Sequence, residues 1–400
     1  MTVAADSAVR KSEERRALGT ACGAHALHDG YTDLVYVMLP IWQSEFGLGF
    51  AALGLMKTVF SGTLAGLQIP SGFLSERFGA PVVLAFGTAL AGIGYCLAGF
   101  STGVASLVVA LFIGGLGAST QHPLASSLIA QAFSGARSRQ ALGTYNFAGD
   151  IGKMTLPAAA SLLFVVMPWR QALIVLGGLG VLAAIAIFLV MPRLRAMPVA
   201  EKKIESAAGV GRQSYGFPLL LSVGVIDSAT RMAFLTFLPF VLTAKGASLP
   251  TIGLALTLVF AGGAAGKLVC AYIGARIGTV ATVWFTEGVT AIGIVALLPL
   301  PLEAAMVLLP VVGVALNGTS SVLYGSVPDL VAPERRARAF GIFYTGTIGA
   351  GAVSPAIYGL LGDAVGVNWA LVVVAAIVLA TLPLTLLLRP SLINVPASSP

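Results

Sequence analysis

Apolar residues run through this chain in stretches of about twenty, broken by short polar turns. A helix needs about 20 apolar residues to cross a bilayer, and twelve such segments are predicted: roughly 17–43, 51–74, 81–100, 103–133, 138–166, 169–191, 215–243, 250–273, 280–300, 303–327, 337–361 and 368–389. Between the sixth and seventh, residues 192–214 carry Arg193, Arg195, Glu201, Lys202, Lys203, Glu205 and Arg212. That long polar connection divides the chain into two sets of six. The predicted organisation is a tail over 1–16, a six-helix bundle over 17–191, a linker over 192–214, a second bundle over 215–389 and a tail over 390–400.

Composition agrees with a membrane protein. Of 400 residues 57% are hydrophobic and 10% charged, where soluble domains carry about 25% charged residues. The net charge of +7 does not indicate nucleic acid, because the basic residues lie in short loops between apolar runs. Of the 23 Lys and Arg, Arg170 and Lys245 fall on one side, and Lys57, Lys153, Arg231 and Lys267 fall inside predicted spans. The others, from Arg10 to Arg389, lie on the opposite side, which is then cytoplasmic. Both termini are predicted to share it. No removable signal peptide is read at the N-terminus. Cys22, Cys96 and Cys270 show no CxxC spacing, so neither a disulfide nor a thiolate metal site is expected, and no cofactor is predicted.

The halves match at an offset of 198–200. Asp29 and Thr32 align with Asp227 and Thr230, Pro40 with Pro239, Gly47 with Gly246, Gly54 with Gly253 and Pro157 with Pro355. Val59-Phe60 with Gly62, Ala65 and Gly66 repeats as Val259-Phe260 with Gly262, Ala265 and Gly266. Parallel six-helix repeats resemble the two-half architecture of major facilitator transporters. Gly72, Glu76, Arg77 and Gly79 resemble that superfamily's loop between its second and third helices, with Glu76 in place of the usual Asp; Arg276 keeps the Arg in the second half. The loop implies a structural tie at the cytoplasmic face. His25, His28 and Asp29, the run Ser44-Glu45-Phe46-Gly47 and the run Gln121-His122-Pro123 resemble the fosmidomycin-resistance efflux branch. The resemblance covers most of the first half. It breaks at Leu124, where the branch has an acid. It implies an all-α membrane fold of twelve helices, export of a small anionic or amphiphilic compound across a bacterial inner membrane, and a monomer.

Candidate chemistry sits inside the spans. Ionisable groups in hydrocarbon are costly and face a cavity or a partner. At 100° per residue, His25, His28, Asp29, Thr32, Asp33 and Tyr36 share one side of the first helix. His25, His28 and His122 are all the histidines of the chain. Histidine changes charge near neutral pH, so Asp29, His25, His28, Asp33 and His122 are the candidates for proton coupling. A satisfied buried histidine is the competing reading.

Asn146, Asp150 and Lys153 share a face of the fifth helix, and Asp227 precedes Arg231 by one turn. Buried cations need a partner. Lys153 and Arg231 therefore pair with Asp150 and Asp227 or hold an anionic substrate. Tyr36, Tyr145, Asn317 and Tyr324 are either hydrogen-bonding cavity residues or interhelical contacts, and Tyr31 reads in the same way. Lys57 and Lys267 read as snorkelling side chains, and Glu287 as a contact to the eighth helix.

The leading reading is a proton-coupled transporter whose partners are a small molecule, protons and the bilayer. The alternatives are an organic-anion importer, and a divalent-metal transporter with His25, His28, Asp29 and Asp33 as N/O ligands. A receptor without transport is the third class. No GxxxxGK[ST], HExxH or GxSxG motif is present, so neither direct ATP use nor an intramembrane hydrolase has support.

Overall fold

The computed structural model describes residues 2–133, 135–191, 215–332 and 335–393, and the predicted linker 192–214 lies outside them. Fifteen α-helices make up the described secondary structure, in the order α1 Thr2–Phe46, α2 Phe50–Gly66, α3 Gln68–Phe78, α4 Ala80–Gly99, α5 Val104–Ala118, α6 Gln121–Ala132, α7 Gly135–Val166, α8 Trp169–Val190, α9 Gly216–Ala244, α10 Leu249–Ile277, α11 Thr279–Leu297, α12 Leu302–Leu330, α13 Arg336–Val365, α14 Val367–Val378 and α15 Thr381–Ile393. These cover the twelve predicted segments.

Three segments are broken, each just ahead of a proline. α2 and α3 meet at Leu67 with a 45° bend, three residues before Pro70. α5 and α6 part at Ser119 and Thr120, before Pro123, and α14 and α15 part at Leu379 and Ala380, before Pro383. Proline supplies no N–H to the carbonyl four residues back and crowds it, which opens the helix there. Pro40, Pro157, Pro239, Pro310 and Pro355 lie inside continuous helices. Over the predicted tail 1–16 the chain is already helical, because α1 begins at Thr2 and runs without a break into the first span.

Among the described residues ten spans are long and apolar enough to cross a membrane, eight of them single helices and two the pairs α5–α6 and α14–α15, and the bent pair α2–α3 makes an eleventh. α1 falls short of that apolarity because His25, His28, Asp29, Thr32 and Asp33 interrupt its middle. It is the twelfth span.

Packing divides the chain into two units. Of the described residues, the first comprises those within 2–47, 56–191 and 249–257, and the second those within 48–55, 215–248 and 258–393. In the first, α7 lies against α1 at the distance that two glycines allow. A Cβ at Gly152 would stand 1.8 Å from the Ala26 carbonyl oxygen, and one at Gly149 would stand 2.6 Å from Asp29 Oδ2. The first nine residues of α10 also belong here: Thr257 donates to the Met154 carbonyl at 2.6 Å. In the second unit, the first turn of α2 is capped from α13. Asp363 accepts from the backbone N–H groups of Phe50 at 2.6 Å and Ala51 at 2.9 Å, a carboxylate placed where a helix N-terminus favours negative charge.

The sequence repeat is written in the backbone. Gly47 and Gly246 both take positive φ after α1 and α9, and Gly79 and Gly278 do so ahead of α4 and α11.

Candidate functional site

The polar stripe of α1 faces its own unit. His25, His28 and Asp29 are buried, at 3%, 7% and 6% exposure. His25 Nδ1 lies 2.8 Å from the Tyr145 carbonyl oxygen on α7, and its ring stacks on that of Tyr145 with centroids 3.9 Å apart. A carbonyl only accepts, so Nδ1 donates, and in the neutral ring Nε2 is left with a lone pair. That Nε2 sits 3.4 Å from Asp29 Oδ1, and it has no hydrogen-bond partner among the described residues.

Two more imidazoles close on the same oxygen. His28 Nε2 is 3.8 Å and His122 Nε2 4.0 Å from Asp29 Oδ1. His122 stands edge-on to both other rings, with centroids 5.2 Å from His25 and 4.8 Å from His28. The α5–α6 break places it: α6 starts at Gln121, so His122 is the second residue of a new helix aimed at α1. Lys153 of α7 holds the other oxygen, Nζ to Oδ2 at 3.3 Å. The side chains of His122 and Lys153 are 43% and 31% exposed. They are the open members of an otherwise closed cluster. A small cavity flanks His28, walled also by Tyr31 and Gln121. His28 Nε2 and Gln121 Nε2 are both without partners among the described residues.

The cluster gathers His25, His28, Asp29, His122 and Lys153 as one site. Asp33, one turn on, is not in direct contact with the histidines; it is buried at 6% and within electrostatic reach of Lys57, Lys153 and Asp150. Ligand atoms of His25, Asp29 and His122 lie within 4.8 Å of one another, so the set that converges differs from the His25, His28, Asp29 and Asp33 set read from spacing. The Lys153 ammonium on Asp29 opposes a second cation there. Asp150 is buried and Asn146 exposed. Tyr145 packs on His25, and Tyr31 donates to the Leu176 carbonyl.

Lys57 does not snorkel. It is 2% exposed, donates to the Thr32 carbonyl at 2.8 Å and lies 4.2 Å from the centroid of the Tyr36 ring. Tyr36 thus supports Lys57 from within the unit. Lys57→Met leaves that carbonyl short of a charged donor and removes one of the two cations near Asp33. A loss of about 1.5–3 kcal/mol is expected, visible as a lower unfolding temperature of the detergent-solubilised protein.

In the second unit, Arg231 Nη2 is 3.9 Å from Asp227 Oδ2, a loose pair on one helix. Glu287 is 1% exposed. Its carboxyl meets Asp227 of α9 and Thr319 of α12, so its partners come from the seventh and tenth spans and not from the eighth. No sequence signal on α11 itself could show this. Asn317 bonds the Gly313 carbonyl at 3.2 Å and fills the space beside Gly263, a helix-packing role. Tyr324 packs edge-on to Phe343 and at a tilt to Tyr344. Of the loop motif, Gly72 is half-buried, while Glu76, Arg77, Gly79 and Arg276 are exposed; Arg77 stacks over Phe78 and Arg276 over Tyr272. α3 is tied to the α5–α6 break by the Ser71 and Ser119 hydroxyls at 2.8 Å.

The signature of the Major Facilitator Superfamily matches residues 21–219 and 220–398, once for each half. The chain belongs to the major facilitator superfamily. Its relatives are transporters. The chain is 23% identical over 355 residues to the fosmidomycin resistance protein of Escherichia coli, covering 86% of both chains. It is 27% identical over 379 residues to the probable sulfoacetate transporter SauU of Cupriavidus necator, covering 87% of both. Among solved superfamily structures, a bacterial homologue of the human lysosomal transporter Spinster superposes with a TM-score of 0.78 at 15% identity, over 97% of this chain and 99% of that one. The superfamily assignment accounts for the all-helical fold, the repeat and the multi-pass membrane placement.

Proposed function

We propose that the chain is a proton-coupled secondary transporter that works by alternating access. It exports a small organic anion or amphiphile across a bacterial inner membrane, acts as a monomer and keeps both termini in the cytoplasm. The observation that carries the coupling is the His25–Asp29 contact. Nε2 and a carboxylate oxygen face each other at 3.4 Å, and in the neutral ring that donates through Nδ1 they are two acceptors. A proton on that imidazole turns the contact into a charge-assisted hydrogen bond. His28 and His122 offer the same atom to the same oxygen, so a proton entering by the exposed His122 has neighbours to move to.

The cargo reading rests on two half-open cations, Lys153 and Arg231, with side chains 31% and 18% exposed. Lys153 lies 3.3 Å from a carboxylate oxygen of Asp29 and Arg231 3.9 Å from one of Asp227, contacts that an anion could displace. The names of relatives agree in chemistry: sulfoacetate and galactonate are anions. Export is favoured by relatives named for fosmidomycin resistance and cephamycin export. Asp150, Asn146 and Tyr145 would complete the substrate wall in the first unit, and Asp227 and Tyr324 in the second.

The test is purified protein in proteoliposomes with an internal pH dye. Adding fosmidomycin or sulfoacetate is expected to evoke proton movement, and the sign of that movement gives antiport or symport. Substrate movement without protons would replace the coupled reading with a uniporter or an exchanger.

A further inference from the structure

The second unit holds a buried pair of acids that the coupling cluster does not use. Asp227 on α9 and Glu287 on α11 are 4% and 1% exposed, and their side chains are within hydrogen-bonding contact of each other. Neither carboxylate carries a hydrogen when ionised, so such a contact holds only when one of the four oxygens bears a proton. Two carboxylates sharing one buried place cannot both ionise. Charge balance says the same. The cation beside the pair is Arg231, one positive charge against two acids, and at 3.9 Å from Asp227 it is outside hydrogen-bond distance.

The surroundings are set up for a proton to come and go. Thr319 on α12 meets Glu287 and donates to the Thr286 hydroxyl at 2.7 Å. Glu287 Oε1 and Arg231 Nε are buried with no hydrogen-bond partner among the described residues. A structural ion pair selected only for stability satisfies such atoms; here an acceptor and a donor are left in reserve. α12 contributes Tyr324 beside Arg231 and α13 contributes Tyr344 beside Tyr324. α14 carries no titratable residue, and on α15 Arg389 is exposed.

We infer that Asp227 and Glu287 form a second proton site, in the C-terminal half, holding one proton between them. In one state Asp227 shares the proton with Glu287. In the other Asp227 is ionised and closes on Arg231, and the proton has left the pair. Resting on the reading of Arg231 as an anion-binding cation, an anionic substrate that occupies Arg231 removes the countercharge of Asp227 and draws a proton back to the pair. Substrate binding and proton uptake are thereby linked within one unit.

The experiment is infrared difference spectroscopy of the purified full chain, wild type against Glu287→Gln, in light and heavy water. A protonated carboxyl shows a C=O stretch that carboxylates and amides lack and that shifts on deuteration. The expected result is that the wild type shows this band at neutral pH and Glu287→Gln loses it, because Asp227 then ionises against Arg231. A band of unchanged size in Glu287→Gln overturns the inference. Since the substitution is nearly isosteric, an unfolding temperature within a few degrees of wild type shows that the fold is intact. The spectrum needs no substrate, so it stands or falls apart from transport.

Discussion

Asp29→Asn is expected to bring substrate-evoked proton movement down to that of empty vesicles while the protein still folds. The carboxylate is the shared focus of three imidazoles and one ammonium, at 3.3 to 4.0 Å. An amide of the same shape keeps the packing against α7 and still offers an oxygen to Lys153. What it removes is the negative charge that makes an imidazolium favourable beside it. Lys153 keeps water within reach through its 31% exposed side chain, so the variant does not strand a fully buried cation, whose cost would be several kcal/mol. The outcome is therefore a loss of function without loss of fold, checked by flux in the pH-dye assay beside an unfolding curve. Flux that survives moves the proton path to another acid, with the Asp227–Glu287 pair first in line.

The second large effect is on assembly of the site. Gly152→Ala places a methyl carbon where the Ala26 carbonyl oxygen now lies 1.8 Å away. The obstacle is helix backbone, which has no rotamer to turn aside. α7 must withdraw from α1, and overpacking of this kind costs about 1–3 kcal/mol. Because the same two helices carry the His25–Tyr145 bond and the Lys153–Asp29 pair, the withdrawal also takes those contacts apart. The unfolding temperature should drop and transport should fail together. An alanine that leaves both unchanged would mean that α7 does not approach α1 this closely.

The twelve spans were legible because bilayer thickness imposes a length that few other constraints produce. Their breaks were less so: Pro70, Pro123 and Pro383 stand just after helix breaks, whereas Pro157 and Pro355 lie inside continuous helices, and the residue type alone does not tell the two cases apart. The α1 stripe was legible because helical periodicity alone puts His25, His28 and Asp29 together. That His122 and Lys153 close the cluster could be suspected from their rarity in spans, but their distances depend on the α5–α6 break and on the glycine face of α7. Lys57 and Glu287 were misread for one reason. Each has its partners on other helices, Thr32 and Tyr36 for one and Asp227 and Thr319 for the other, and local sequence holds no trace of them.

The boundaries of the packed units do not follow those of the repeat. Residues 48–55 pack with the second unit and 249–257 with the first, so each sequence half lends eight or nine residues to the other. A fragment ending near 191 would therefore lack the α10 turn that donates to Met154, and one starting near 215 would lack the α2 turn that Asp363 caps. Gene halves expressed separately should each be incomplete, and expressed together they have two reciprocal segments by which to recognise one another.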